Sequence, residues 1–166
     1  MLISQKILFT KNECDNILSI FKENEMHWKS KNRQYNSYEL NFNSENEWIF
    51  DKLKTFFTNE TNLEIRKLKG QIHFHKYVIG DWFGKHNDSR DNRLYSIGVL
   101  LNDEFTGGDF KLYNDTELLL DKVVGNTYIF DVNIEHEITP ILKGERYSLL
   151  WFLQGEHIKN NIKNII

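Results

Sequence analysis

The chain has 166 residues, 40% of them hydrophobic and 14% aromatic, with a net charge of -3. That length and composition can bury a core without disulfide or metal staples, which excludes a disordered chain. The acidic balance gives no general attraction for nucleic-acid backbones or anionic membranes, so neither is expected as a partner. The one cysteine, Cys14, has no mate for an internal disulfide, and its amphipathic surroundings mark a buried thiol rather than a nucleophile. The start, Met1 to Phe9, has too short an apolar run for a signal peptide, and no stretch reaches membrane-spanning length; a soluble, cytoplasmic protein is the expectation.

The first predicted element is a helix opened by Thr10-Lys-Asn-Glu13, where Thr10 can cap the backbone and Glu13 can reach back, with Ile17, Leu18 and Phe21 on its apolar face. Ser44-Glu-Asn-Glu47 repeats the capping pattern, and Trp48, Ile49, Leu53, Phe56 and Phe57 follow at helical spacing. Both helices should pack on a sheet. From about Lys69 the chain changes to short runs rich in β-branched and aromatic residues, punctuated by Ile79-Gly-Asp, Thr106-Gly-Gly and Leu142-Lys-Gly, which predicts roughly seven or eight strands. The strands expected are Gln71 to Val78, Leu94 to Leu101, Asp109 to Tyr113, Thr127 to Phe130, Glu135 to Ile138 and Arg146 to Leu153. Ile158, Ile162 and Ile165 then stand at near-helical spacing and predict a closing helix. The organisation expected is one domain over 1–166: helical support in 1–68, a β core over about 69–154 and a C-terminal helix over 156–166.

His86 and Asp88 flank Asn87, and residues two apart on an extended chain point to the same side, so both can reach one ion. A third ligand, His136, can arrive on a later antiparallel strand. Two imidazoles and a carboxylate with the other positions open suit non-haem Fe(II).

Arg146 follows His136 by hairpin spacing, across the turn signals Pro140 and Gly144. In Arg146-Tyr-Ser148-Leu-Leu-Trp-Phe-Leu153 alternation puts Arg146 and Ser148 on one face and Tyr147, Leu149 and Trp151 on the other. A guanidinium in an apolar strand demands an anion, and a bidentate carboxylate such as the distal one of 2-oxoglutarate fits it. The alternative is an internal ion pair with Glu135, Glu137 or Glu145.

The ordered motifs Tyr77-x-x-Gly80-x-x-Phe83-x-x-His86-x-Asp88, Leu101-Asn-Asp103, Gly107-Gly-Asp-Phe110 and His136-Glu-Ile-Thr-Pro140-x-x-x-Gly144-x-Arg146-Tyr-Ser-Leu-Leu-Trp-Phe152 resemble the catalytic domain of the prolyl 4-hydroxylase-like 2-oxoglutarate oxygenases. The resemblance spans roughly half of the chain and implies a mostly β, α+β fold: a double-stranded β-helix (jelly roll, cupin-like) with the N-terminal helices packed on it. It implies that His86, Asp88 and His136 hold iron, that Arg146 holds the distal carboxylate of 2-oxoglutarate, and that Tyr77 supports it with help from Ser96. Where many relatives read Tyr-Leu-Asn this chain has Leu100-Leu-Asn102, a hydroxyl fewer, so that Tyr77 and Ser148 carry more of the cosubstrate contact. The cofactors implied are Fe(II), 2-oxoglutarate and dioxygen, with ascorbate as an accessory.

His73 and His75 share the alternating face of Tyr77 and are read as substrate contacts or buried hydrogen-bonding groups, not ligands. Gly107-Gly108 reads as a turn or bulge. Trp82 and Trp151 read first as packing, with Trp82 near enough to His86 to border the opening, and Arg90 and Arg93 read first as a solvated loop. The implied reaction is hydroxylation of a C–H bond, of a prolyl residue in a peptide or protein by the nearest resemblance, with a free amino acid or small metabolite as the alternative substrate. A non-catalytic metal-binding sensor or interaction module is the alternative of a different class. Phe152, where a nucleic-acid demethylase of the superfamily would have a second arginine, and Asp88, where a halogenase would have a small residue, argue against those activities.

Overall fold

The computed structural model describes residues 1–24, 35–41, 43–66 and 72–160. Among them the elements run β1 (Leu2–Ile7), α1 (Lys11–Glu23), β2 (Asn36–Leu40), α2 (Glu47–Thr61), β3 (Leu63–Ile65), β4 (Ile72–Tyr77), β5 (Phe83–His86) and β6 (Arg93–Leu100). There follow β7 (Phe105–Gly107), β8 (Phe110–Asn114), β9 (Thr116–Leu119), β10 (Asn126–Asp131), β11 (Glu135–Ile138), β12 (Ile141–Gly144), β13 (Arg146–Gln154) and β14 (Ile158–Asn160). A major sheet has the order β1-β10-β6-β13-β4-β2 and a minor sheet the order β5-β11-β8-β9, with β12-β7 and β14-β3 as two-stranded ribbons.

The major sheet is packed on both faces, the one facing the minor sheet also carrying buried polar groups such as His75, Ser96, Arg146 and Ser148. Ile97 and Val99 of β6 and Leu149, Trp151 and Leu153 of β13 turn toward the helices, where they join Ile17, Phe21, Phe50 and Phe57 in one buried cluster. Residues of the other parity, Tyr77, Leu100, Tyr128 and Phe130, meet Phe110, Leu112 and Ile138 of the minor sheet in a second cluster. A sheet covered on both sides needs apolar residues at both parities, which explains the unbroken apolar runs at 128–130 and 149–153. The two facing sheets with helices behind the larger one make the expected double-stranded β-helix. Among the described residues no helix is long and apolar enough to cross a membrane.

Local chemistry explains where the predicted elements hold and where they do not. Thr10 caps α1 as expected: its hydroxyl accepts from the Glu13 N–H at 3.2 Å, and its own N–H donates to Glu13 Oε2 at 2.8 Å. The second helix starts later than Ser44 suggests. Asn46 takes the cap position without a side-chain cap, because its amide oxygen accepts from the Asn43 N–H and its amide nitrogen donates to the Asn41 carbonyl. The support region is not purely helical either, since β1 and β2 form the two edges of the major sheet and β3 pairs with β14. The closing helix is corrected: Gly155–His157 is a single 3-10 turn and Ile158–Asn160 is a strand, because β3 offers it a backbone partner. The remainder of that predicted helix, 161–166, and Gln71 at the start of the first predicted core strand lie outside the described residues.

Candidate metal centre

β5 and β11 run antiparallel with His86 and His136 as direct cross-strand partners, and the two imidazole centroids are 4.3 Å apart. Asp88 follows β5 by two residues, its N–H fixed to the Val132 carbonyl at 2.9 Å. One carboxylate oxygen lies 3.7 Å from His86 Nε2 and the other 3.5 Å from His136 Nε2. Ligands held about 2.1 Å from one ion sit no more than about 4.2 Å apart, so both separations fit a shared metal.

The protonation pattern also fits. His86 Nδ1 lies 2.7 Å from the Gly84 carbonyl and His136 Nδ1 3.0 Å from the Ile134 carbonyl. A proton on each Nδ1 satisfies both carbonyls and leaves each Nε2 with a lone pair facing Asp88, the arrangement a metal-bound imidazole needs. Burial pushes the pKa of His136 below its ordinary value, against the opposing pull of Asp88, and so favours the neutral ring. The second Asp88 oxygen accepts from the Ser96 hydroxyl at 2.8 Å, inside the fold.

Arg146 stands across the same cavity, of about 520 Å³, which is also lined by Tyr77, Tyr128 and Ser148. It is 2% exposed, its Nη1 donates to Ser148 Oγ at 2.8 Å, and its Nε has no hydrogen-bond partner. None of the three glutamates that could have neutralised it does so. Glu135 pairs with Lys85, Glu137 accepts from the Tyr113 hydroxyl, and Glu145 pairs with Lys76 and accepts from Tyr147. Among the described residues, then, no carboxylate pairs with this buried guanidinium at the cavity wall, a costly arrangement that an anionic ligand would offset.

Tyr77, the cross-strand partner of Arg146, is buried with its ring centroid 5.6 Å from the guanidinium carbon. Ser96, expected beside the cosubstrate, has its hydroxyl on Asp88 instead. His73 and His75 do line the cavity, as do Arg90 and Arg93, with the Arg93 guanidinium 3.7 Å from the Phe152 ring centroid. Trp82 is exposed and folds against Gly84, outside the cavity wall. Gly107 and Gly108 adopt φ of +70° and +60° beside a register shift in the β7–β12 ribbon, the turn geometry read from the sequence. Sequence reasoning missed Tyr128. Its signal was Gly98, a lone glycine inside a strand pattern, which marks a close approach by another group.

The fold is that of known hydroxylases. A Pseudomonas putida prolyl-4-hydroxylase superposes with a TM-score of 0.74 at 18% identity, covering 91% of each chain. A Trichoplax adhaerens prolyl hydroxylase, solved with a hypoxia inducible factor oxygen degradation domain peptide fragment, gives 0.73 at 16% identity over 97% of this chain and 86% of that one. The viral collagen prolyl hydroxylase of Paramecium Bursaria Chlorella virus-1, solved with 2-oxoglutarate, gives 0.69 at 15% identity over 90% and 93%. No curated protein matches in sequence. The 2OG-Fe(II) oxygenase superfamily matches residues 72–154, half of the chain; the chain therefore belongs to that superfamily, as a 2-oxoglutarate-dependent dioxygenase that uses Fe(II), 2-oxoglutarate and dioxygen.

Proposed function

We propose that the protein hydroxylates a C–H bond of a prolyl residue in a peptide or protein, with iron held by His86, Asp88 and His136 and the distal carboxylate of 2-oxoglutarate held by Arg146. With its cofactors bound, such a site supplies the oxidant for a reaction in which R–H, dioxygen and 2-oxoglutarate become R–OH, succinate and carbon dioxide. The observation that carries the reading is the pairing, in one cavity, of a His–Asp–His donor set with a buried arginine that has no acid partner among the described residues.

The chain's own residues bind, orient and shield. Ser148 fixes one end of the guanidinium, so the free edge is presented to a carboxylate in a set direction. Ser96 sets the rotation of the Asp88 carboxylate, and the two backbone carbonyls set the imidazoles. Phe110 and Phe130 pack their rings 5.5 and 4.9 Å from that of His136, keeping water from the inner wall of the site. No side-chain acid or base is needed for the chemistry.

A prolyl substrate is supported by the three prolyl hydroxylases that share the fold, one of them solved with a peptide. The test is a mass-shift screen for one added oxygen over proline-containing peptides and free amino acids, with succinate measured in parallel. Oxygen gained by peptides, with stoichiometric succinate, is the expected result. Oxygen gained only by free amino acids would reject the peptide assignment, and no succinate with any of them would reject the activity.

A further inference from the structure

Tyr128 lies beside Arg146 for a reason the backbone shows. On β10 it faces Gly98 of β6 as a direct cross-strand partner. A Cβ at position 98 would fall 2.1 to 2.4 Å from the Cε2, Cζ and hydroxyl atoms of the Tyr128 ring. Gly98 is not at a positive φ, so glycine is required there for space and not for backbone conformation. The ring therefore lies across the backbone of β6, with Phe110 stacked against it at 5.0 Å and 29°. In that pose the ring carries its hydroxyl toward the cavity and recess it shares with Arg146, whose positive charge acts on the phenol.

Leu100, Phe105, Phe110 and Leu120 share a recess with Tyr128 and Arg146, and the two charged residues that also line it are engaged elsewhere, Asp121 by Gln5 and Lys122 by Asp109. A guanidinium has no acceptor, so beside Arg146 the phenol's own proton is left for a further partner. Burial, the largest influence on this phenol, raises its pKa and keeps that proton in place.

We propose that the Tyr128 hydroxyl is the second ligand of the 2-oxoglutarate distal carboxylate, donating beside Arg146, and that Gly98 serves to admit its ring. This rests on the assignment of Arg146 to that carboxylate and adds a residue and its supporting glycine. Tyr128, Arg146 and the metal triad line one cavity, so the two ends of a small diacid can be served from the same space.

The test uses the full chain loaded with Mn(II) and calorimetric titration with two probes: 2-oxoglutarate, and 2-oxobutyrate, which keeps the 2-oxo acid end but has no distal carboxylate. Tyr128→Phe keeps the ring and removes only the hydroxyl; loss of a hydrogen bond to a charged group is expected to weaken 2-oxoglutarate roughly tenfold or more and leave 2-oxobutyrate unchanged. Gly98→Ala, which displaces the ring, is expected to reduce the same discrimination between the two probes. An unchanged 2-oxoglutarate affinity in Tyr128→Phe, or an equal loss for both probes, would overturn the proposal. If the wild-type chain binds both probes equally or neither, the Arg146 assignment itself fails, a result distinct from a failure at Tyr128 alone.

Discussion

Ser96 determines how Asp88 presents its carboxylate, because the hydroxyl bond at 2.8 Å engages one oxygen and leaves the other toward His86. Ser96→Ala is therefore expected to lower metal affinity about 10–100-fold while the fold persists, as outer partners of metal ligands commonly do; Co(II) titration monitored by its visible absorption would show it, and unchanged affinity would remove Ser96 from the site. His136 gives a pH signature in the metal-free chain. Its folded pKa is lowered by burial, so above about pH 6.5 native and unfolded chains both carry the neutral ring and no stability is lost. Below that value the unfolded chain takes up a proton that the native site resists, and stability falls. Thermal melts between about pH 7.5 and about pH 5.5 should show this drop and show it reduced in His136→Gln. At this scale the sequence singled out His86, Asp88, His136 and Arg146, which the fold brings to one cavity, since two-residue and hairpin spacings are local facts. The placements of Ser96 and Tyr128 depend on register between strands far apart in the chain; the lone Gly98 signals a close approach, but only the register shows that Tyr128 makes it.

At the scale of elements, α1 is held by a reciprocal cap that also reaches the second helix: Lys52 of α2 lies 2.6 Å from Glu13, and that contact lowers the Glu13 pKa. Thr10→Ala should cost about 1 kcal/mol in urea unfolding. Ser44→Ala, where the same sequence pattern makes no cap, should stay within about 0.5 kcal/mol of the parent. A similar loss in both would contradict the assignment of the α2 cap to Asn46. The legible strands were those whose β-branched and aromatic content is high, as in β6, β10 and β13. The missed ones are edge or ribbon strands such as β2 and β9, half-buried or exposed over most of their length, in which burial leaves little hydrophobic alternation to read. The tail misled because isoleucines four and three apart suit a helix, whereas Ile158 is committed to a strand by pairing with Ile65, a contact 93 positions away.

The whole molecule is three layers, with helices, major sheet and minor sheet enclosing one core on each side of the major sheet. Cys14 belongs to the helix-side core, fully buried, with its thiol pushed up to about 12 by desolvation. It should resist a thiol reagent at neutral pH until global unfolding, so its labelling rate in urea should follow the unfolding transition; rapid labelling of the native chain would mean that the helical layer opens independently. The other core opens into the cavity, where β5 and β11 bring His86 and His136 together, Asp88 joins them just beyond β5, and Arg146 of β13 and Tyr128 of β10 line the same space. The most direct measurement is anaerobic titration of the chain with Fe(II) and 2-oxoglutarate, monitored by metal-to-ligand charge-transfer absorption. A band that forms with the parent chain, is absent in Asp88→Ala and needs much more 2-oxoglutarate in Arg146→Ala is the predicted result. A band of equal strength and affinity in all three proteins would contradict the assignment of this cavity as the iron and 2-oxoglutarate site.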